Sequence, residues 1–367
     1  MITRFARGDR VTGRTNDSVL TPYHLMTLSP SSAALWLLIA AFAAWAAVAQ
    51  TPQFVVGLIV GSLYALAAVG LTLIYGVARV SHFAHGDAMM MAAYLAFFLL
   101  SGAVVGSRAG DVVFPLHVGA LPGAMDPIWR FSFGYGLVIA IVLGALLAVP
   151  LLLVIDRVVY QPLHRRGAGT AILAVASLGV AISMRGIMLF VWGADNRRFT
   201  AGIRQTVDLP GLPLIVADQF FIVSAALVLA VLTYLQLYHT RLGTAMRAMA
   251  DNPALARASG IDIAATRRWT WITGGALTAV AGCLLALQSQ LSPELGFVLL
   301  LPIFAAAILG GVGSPHGAFI GGLIVGVVGE VVVGIGIISP GYKLAVVFVV
   351  LITVILLRPQ GLFGARE

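Results

Sequence analysis

His82, His85 and Asp87 stand within six residues of one another. Two imidazoles and a carboxylate at that spacing have the chemistry to pass a proton or to hold a metal ion. The rest of either machinery is missing from the sequence. There is no His-Glu-x-x-His pattern and no second carboxylate cluster nearby, so a bound metal would be short of ligands. No Gly-x-Ser-x-Gly nucleophile turn is present. A phosphate-binding loop needs a lysine after a glycine run, and the only lysine, Lys343, sits between Tyr342 and Leu344. The chain therefore reads as a non-enzyme with no ATP site of its own, no metal and no cofactor. An intramembrane enzyme using His82, His85 and Asp87 is the competing reading, and metal analysis separates the two.

Two more ionisable groups, Arg185 and Glu330, fall inside long apolar runs. Such groups are costly in lipid and line a pathway or pair with a neighbour; a direct Arg185–Glu330 pair is the economical expectation. Glycine-rich breaks mark two places. The first runs Arg79-Val80-Ser81-His82-Phe83-Ala84-His85-Gly86-Asp87, the second from Leu309 through Gly313-Ser314-Pro315-His316-Gly317 to Phe319. Each sets His-Gly at the start of a new apolar run, and paired interruptions in two halves point to a transporter's substrate region. Helix N-termini near His85 and His316 would offer N–H groups to a substrate carboxylate. A simpler reading makes both tight loops in which glycine supplies unusual backbone angles.

Between Tyr238 and Trp269 the apolar character lapses, and Arg241, Arg247, Arg257, Arg267 and Arg268 crowd together with Asp251, Asn252, Gly260 and Asp262. Leu242, Ala245, Met246 and Met249 recur at helical spacing opposite Arg247. Asp251 or Asn252 can cap a second short helix with Pro253 at its first position, and Gly260 suits a left-handed end. The stretch reads as helix–turn–helix, stiff enough to carry a push from a soluble partner. A solvated linker is the alternative.

The elements that must position these groups follow from composition. Of 367 residues 60% are apolar and only 10% charged, with a mean hydropathy of +1.00, whereas soluble chains carry about 25% charge. Apolar runs of about 20 residues span a bilayer as helices, and barrel strands would be half that length. The fold class is all-α, a polytopic transmembrane bundle of 9–10 segments near 33–49, 54–77, 86–106, 133–155, 170–192, 217–238, 269–288, 297–311, 317–338 and 343–357. The short runs 297–311 and 343–357, flanked by glycine or proline, are expected to be tilted, merged or only partly spanning. The net charge of +8 comes from arginines scattered among short loops, which argues against nucleic acid and for the positive-inside rule. With the N-terminus cytoplasmic, 15 of the 22 basic residues fall inside and six outside. Residues 1–32 form a polar basic tail, 33–358 the membrane domain with a cytoplasmic loop at 239–268, and 359–367 a cytoplasmic tail. Ala47-Val48-Ala49 before Gln50 resembles a signal-cleavage site, though a retained first helix is favoured. The single cysteine, Cys283, excludes a disulfide within the chain.

Several motifs, in order, resemble the LivH-type permease family of branched-chain amino acid ABC importers from about Gly57 to Gly364. Gly61-Ser62-Leu63-Tyr64-Ala65-Leu66 with Gly70 and Tyr75-Gly76 is similar to the family's opening helix. Phe83-Ala84-His85-Gly86-Asp87 matches its Asn-Phe-Ala-His-Gly-acidic signature from the second position, and Ala306–Gly322 a second signature. Glu330 follows at the family's spacing, and Arg358–Gly364 resembles its ending. The resemblance implies a multi-pass protein of the bacterial inner membrane. It also implies a second, LivM-type permease, two LivG/LivF-type ATPases gripping through Arg241, Gly243, Arg247, Asp251, Asn252, Gly260 and Asp262, and a periplasmic binding protein. Tyr64, His82, His85, Gly86, Asp87, His316 and Glu330 become the expected substrate pathway. His82 stands where the family commonly has Asn, and residues 1–50 are extra; related permeases handle urea, short amides and other amino acids. An ATP-independent carrier remains a further alternative.

Overall fold

A computed structural model of the chain describes residues 30–104, 112–200, 202, 204–208, 213–336 and 338–364. Most of the expected polar tail, with Arg4, Arg7, Arg10 and Arg14, lies outside the described residues, as do Arg108 and Arg366. The chain divides into two units, Met1–Ala40 and Ala41–Glu367. The described part of the first is the opening of one helix.

The elements, in order, are α1 (Pro30–Ala49), α2 (Thr51–Ala78), α3 (His85–Ser101), a small antiparallel pair β1 (Ala103–Val104) and β2 (Val112–Val113), α4 (Tyr135–Ile155), α5 (Gln161–Arg165), α6 (Thr170–Trp192), a second antiparallel pair β3 (Thr206–Val207) and β4 (Ile215–Val216), α7 (Ala217–His239), α8 (Arg241–Asp251), α9 (Pro253–Ala258), α10 (Ile263–Gln288), α11 (Leu295–Gly310), α12 (Pro315–Gly334) and α13 (Lys343–Leu357). A π-helical turn, Asp156–Tyr160, joins α4 to α5; the wider turn accommodates Pro162, whose ring cannot sit against a tight preceding carbonyl. Among the described residues seven helices are long and apolar enough to cross a membrane, and Ala34–Ala49, His85–Ser101 and Leu295–Gly310 are shorter apolar helices. The protein is an all-α, multi-pass bundle, as its composition requires.

The helices α2 and α10, with the shorter α3, form the interior. Of the most apolar windows of α2 and α10, 72% and 83% is buried, against 17% for the window that includes α13. In lipid there is no hydrophobic drive between helices, so close packing of small residues has to hold them together. Along α2, Gly57 and Gly61 face Gly322, Gly326 and Val327 of α12 so closely that a Cβ at Gly57 would lie 2.6 Å from the Val327 Cα. Ala46, Val327 and Val331 close one end of this seam, with Phe42 and Phe54 packed on them.

Several boundaries differ from the sequence expectation. The third segment stops at Ser101 rather than 106, because Gly102 takes a left-handed conformation (φ +69) and ends the helix. Before Trp269, α10 begins six residues early, at Ile263, capped by Asp262 Oδ1 accepting from Ala264 N and Ala265 N. Arg267 and Arg268 therefore belong to a helix rather than to the loop. The expected C-terminal tail is docked up to Gly364: Leu362 is fully buried, and Leu362 N and Phe363 N donate to the carbonyls of Leu309 and Gly310.

Candidate functional site

The first glycine-rich break folds back into the bundle. From the left-handed Arg79 (φ 55) that ends α2, residues 80–84 return alongside it. By His85 the chain is level with Ala67, whose carbonyl lies 2.9 Å from His85 Nε2. Ala67 precedes the end of α2 by eleven residues, about 16 Å of helix rise. So α3 starts deep in the bundle. His85 N donates to the His82 carbonyl and Ala84 N to Ser177 Oγ of α6. Gly86 crosses Gly296 of α11 backbone to backbone, where a Cβ on either glycine would collide with the other's carbonyl.

Around that crossing the polar groups are enclosed. His82, His85 and Asp87 are each 0% exposed. His82 Nδ1 is 3.2 Å from the Tyr160 hydroxyl, which donates to Ser177 Oγ at 3.1 Å. The His82 ring meets Trp271 of α10 edge to face at 5.2 Å between centroids, and Trp271 stacks on Tyr160. Thr72, Tyr75 and His82 line a half-open cavity of about 180 Å³ together with Phe304 and Ile308. Asp87 accepts from Arg185 Nε at 3.1 Å and Nη2 at 2.8 Å, with the guanidinium 4.6 Å over the Phe297 ring.

This corrects the expected Arg185–Glu330 pair. Arg185 is taken by Asp87 on α3, and Glu330 of α12 pairs instead with Lys343 at the start of α13. Each charge found its partner on a neighbouring helix, Arg185 one 98 residues away and Glu330 one 13 residues away. Tyr64, on α2, shares a cavity with Lys343.

His316 is elsewhere. It is exposed, at the end of the bundle that carries α8 and α9, with its Nδ1 3.0 Å from the Tyr238 hydroxyl of α7 and its Nε2 3.2 Å from Ser314 Oγ. Ser314 Oγ also accepts from Gly317 N and so caps α12. The two breaks are therefore at different depths, and His316 does not join His82, His85, Gly86 and Asp87.

The polar stretch after α7 is the expected helix–turn–helix. Thr240 Oγ1 accepts from Gly243 N, Asn252 Oδ1 from Ala254 N and Leu255 N, and Gly260 is left-handed at φ +85. Met246 and Met249 are buried, while Arg241, Arg247, Asp251, Asn252, Gly260 and Asp262 are exposed. Gly243 is buried where a Cβ would collide with the Leu237 carbonyl, so only glycine permits so tight a turn out of α7. Besides the packing of Met246 and Met249, two contacts among the described residues tie this hairpin to the bundle. Arg79 Nη2 donates to the Ala250 carbonyl at 2.6 Å, and the Arg247 guanidinium lies 5.2 Å over the Tyr238 ring. A third clamp stands behind them: Asp156 accepts from Arg267 Nη2 at 2.6 Å, Arg267 Nε at 3.1 Å and Gln161 Nε2 at 2.8 Å. Sequence reasoning did not single out Asp156, Tyr160, Ser177 or Trp271, and it took Arg267 only as a loop charge and Lys343 only as the lone lysine; the one available signal was an acid, Asp156, directly after an apolar run.

Over residues 53–355 the chain matches the family described as the branched-chain amino acid transport system permease component. It is 31% identical over 321 residues to the high-affinity branched-chain amino acid transport system permease protein BraD of Pseudomonas aeruginosa, covering 86% of this chain and 96% of that protein. The probable branched-chain amino acid transport permease protein LivH of Methanocaldococcus jannaschii is 30% identical, covering 84% and 90%. The LivH permease of Salmonella typhimurium is 28% identical, covering 85% and 94%. No solved structure matches the chain.

Proposed function

The chain belongs to the family of branched-chain amino acid transport permease components, and we propose that it is the membrane-spanning permease subunit of an ABC importer, carrying a branched-chain amino acid across the bacterial inner membrane with ATP hydrolysed by partner subunits. The partners are a second permease of LivM type, two ATPases of LivG/LivF type and a periplasmic binding protein. The family match, which covers the membrane domain from α2 into α13, carries this reading.

The coupling surface is the exposed face of α8 and α9, with Arg241, Arg247, Asp251, Asn252, Gly260 and Asp262 presented to an ATPase and Gly243 fixing the hairpin's angle. A push on this hairpin reaches the bundle along two routes. One passes from Ala250 to Arg79, at the root of the first break. The other passes from Arg247 through Tyr238 to His316, at the second. Tyr64, His82, His85, Gly86, Asp87 and Glu330 lie along the interior that such a motion would open.

The test is reconstitution of the complete importer in vesicles. Labelled leucine uptake should require nucleotide and the binding protein, and urea should not compete. Full-rate uptake by this chain alone, without nucleotide, would refute the reading in favour of a carrier. Uptake of urea or a short amide in place of leucine would keep the class and change the solute.

A further inference from the structure

The chain's single lysine stands at the wall of a cavity. Lys343 opens α13, and its ammonium pairs with the Glu330 carboxylate of α12. The pair is half-open, with 28% of the lysine side chain and 21% of the glutamate exposed. Lys343 lines a cavity of about 190 Å³ together with Tyr64, Val298, Pro302, Val325 and Val347. Tyr64 is 8% exposed, and its hydroxyl makes no hydrogen bond among the described residues. The cavity thus has one cation, an anion behind it, an unpartnered hydroxyl and an otherwise apolar lining.

An ion pair between membrane helices is a weak source of stability, since apolar side chains of similar volume serve as well, and ionisable groups held there mark pathways. The pair also has a chemical asymmetry. A neutral solute that separated Lys343 from Glu330 would leave two charges uncompensated. A zwitterion would replace each partner: its carboxylate takes the ammonium, its ammonium takes the carboxylate, and the cavity stays neutral throughout. The free hydroxyl of Tyr64 can then donate to the carboxylate.

We propose that this cavity between α2, α11, α12 and α13 is a binding site for a zwitterionic amino acid with an apolar side chain. Lys343 and Tyr64 hold its carboxylate, Glu330 its ammonium, and Val298, Pro302, Val325 and Val347 its side chain. The proposal rests on the permease reading and adds to it a location, the role of Lys343, and a reason for rejecting neutral amides: they cannot complete the exchange of ion pairs, so the site discriminates by what it leaves unpaired.

Because Lys343 is the only lysine, an amine-reactive acylating reagent reports on it without ambiguity once this chain's peptides are separated by mass spectrometry. The assembled importer in detergent is labelled at alkaline pH with millimolar leucine, leucinamide or urea present, and Lys343 is read as a ratio to surface lysines of the partner subunits in the same sample, which cancels the reagent consumed by the added amines. Leucine should slow modification of Lys343 at least fivefold, whereas leucinamide, which lacks the carboxylate, and urea should not. In a Tyr64→Phe variant, about tenfold more leucine should be needed for the same protection, the loss expected for one hydrogen bond to a charged group. Equal labelling with and without leucine, in a preparation whose vesicles take up leucine, would overturn the site and leave the permease reading standing. Protection by leucinamide equal to that by leucine would overturn the carboxylate assignment. If vesicles take up no leucine and leucine gives no protection, the solute reading and the site fall together.

Discussion

The two glycine-rich breaks look alike as strings, each ending in His-Gly ahead of an apolar helix, yet the bundle treats them oppositely. At the first, His82, His85 and Asp87 are sealed inside, and α3 starts against the middle of α2. At the second, His316 is exposed beside Tyr238, Ser314 caps the new helix, and the turn at 361–364 is laid over the loop. The first has backbone pressed on backbone at Gly86 and Gly296; the second is packed as closely where Gly310 meets Gly317 and Gly311 meets Gly361 and Gly364, but a Cβ at Gly313, on its exposed side, would meet nothing within 4 Å. The same local chemistry can thus serve as a buried pivot or as a surface joint, depending on what crosses it. Motion delivered to the bundle should pass through the second and turn about the first.

The strongest way to break this comparison is to add side chains at both places. Gly86→Val or Gly296→Val has no room, since the atoms in the way are main-chain carbonyls, and the cost should exceed about 3 kcal/mol, the upper range for overpacking. Little folded protein should then be recovered from membranes, as judged by size-exclusion of a fluorescent fusion. Gly313→Ala meets no neighbour and costs only its left-handed backbone (φ +89), about 1–2 kcal/mol; it should fold at near wild-type yield. Equal losses at the two sites would end the distinction between pivot and joint.

Next in size is Arg185→Gln. It leaves the Asp87 carboxylate buried with its Oδ2 already unpartnered, and loss of one member of such a pair costs on the order of 3 kcal/mol. The guanidinium is 23% exposed, so the realised loss should fall below that figure. Adding Asp87→Asn should restore much of the lost thermal stability, because it removes the stranded charge. A double variant no more stable than the single one would mean that Asp87 is not held chiefly by Arg185.

How much of this was legible from the chain follows from what each signal measures. Helices announced themselves by continuous apolar length. The α8–α9 hairpin did so by caps within four residues of what they cap, as with Asn252 and Gly260. Such information is local. The ion pairs were not legible, because a charge in an apolar run reveals that it needs a partner and not where the partner is. Asp87 and Arg185 are 98 residues apart, Asp156 and Arg267 are 111 apart. The same blindness misplaced the start of α10: Arg267 and Arg268 look like loop residues to a hydropathy window, but Arg267 is neutralised by Asp156 and the helix runs through it. The depth of the two breaks was hidden for a related reason. Gly296 and the docked C-terminal turn decide it, and neither is near in sequence to the break it covers.

The smallest expected effect is also the most discriminating between a joint and a mere loop. Tyr238→Phe removes the hydroxyl that faces His316 Nδ1 and keeps the ring beneath Arg247. Because the pair is at the surface, the stability change should stay at or below about 1 kcal/mol, and the melting temperature should barely move. If the second break merely connects α11 to α12, transport should be equally indifferent. If it is where α7 hands displacement to α12, leucine carried per ATP hydrolysed should fall while ATP turnover persists, since the hairpin can still be pushed but one of its two routes into the bundle has slackened. His316→Ala removes the same hydrogen bond and, in addition, the contacts to Ser314 Oγ and the Phe363 ring, so its uncoupling should be at least as large, and adding Tyr238→Phe to it should cost nothing further. An additive loss would place the two residues on separate routes, and the second break would no longer be a joint between them.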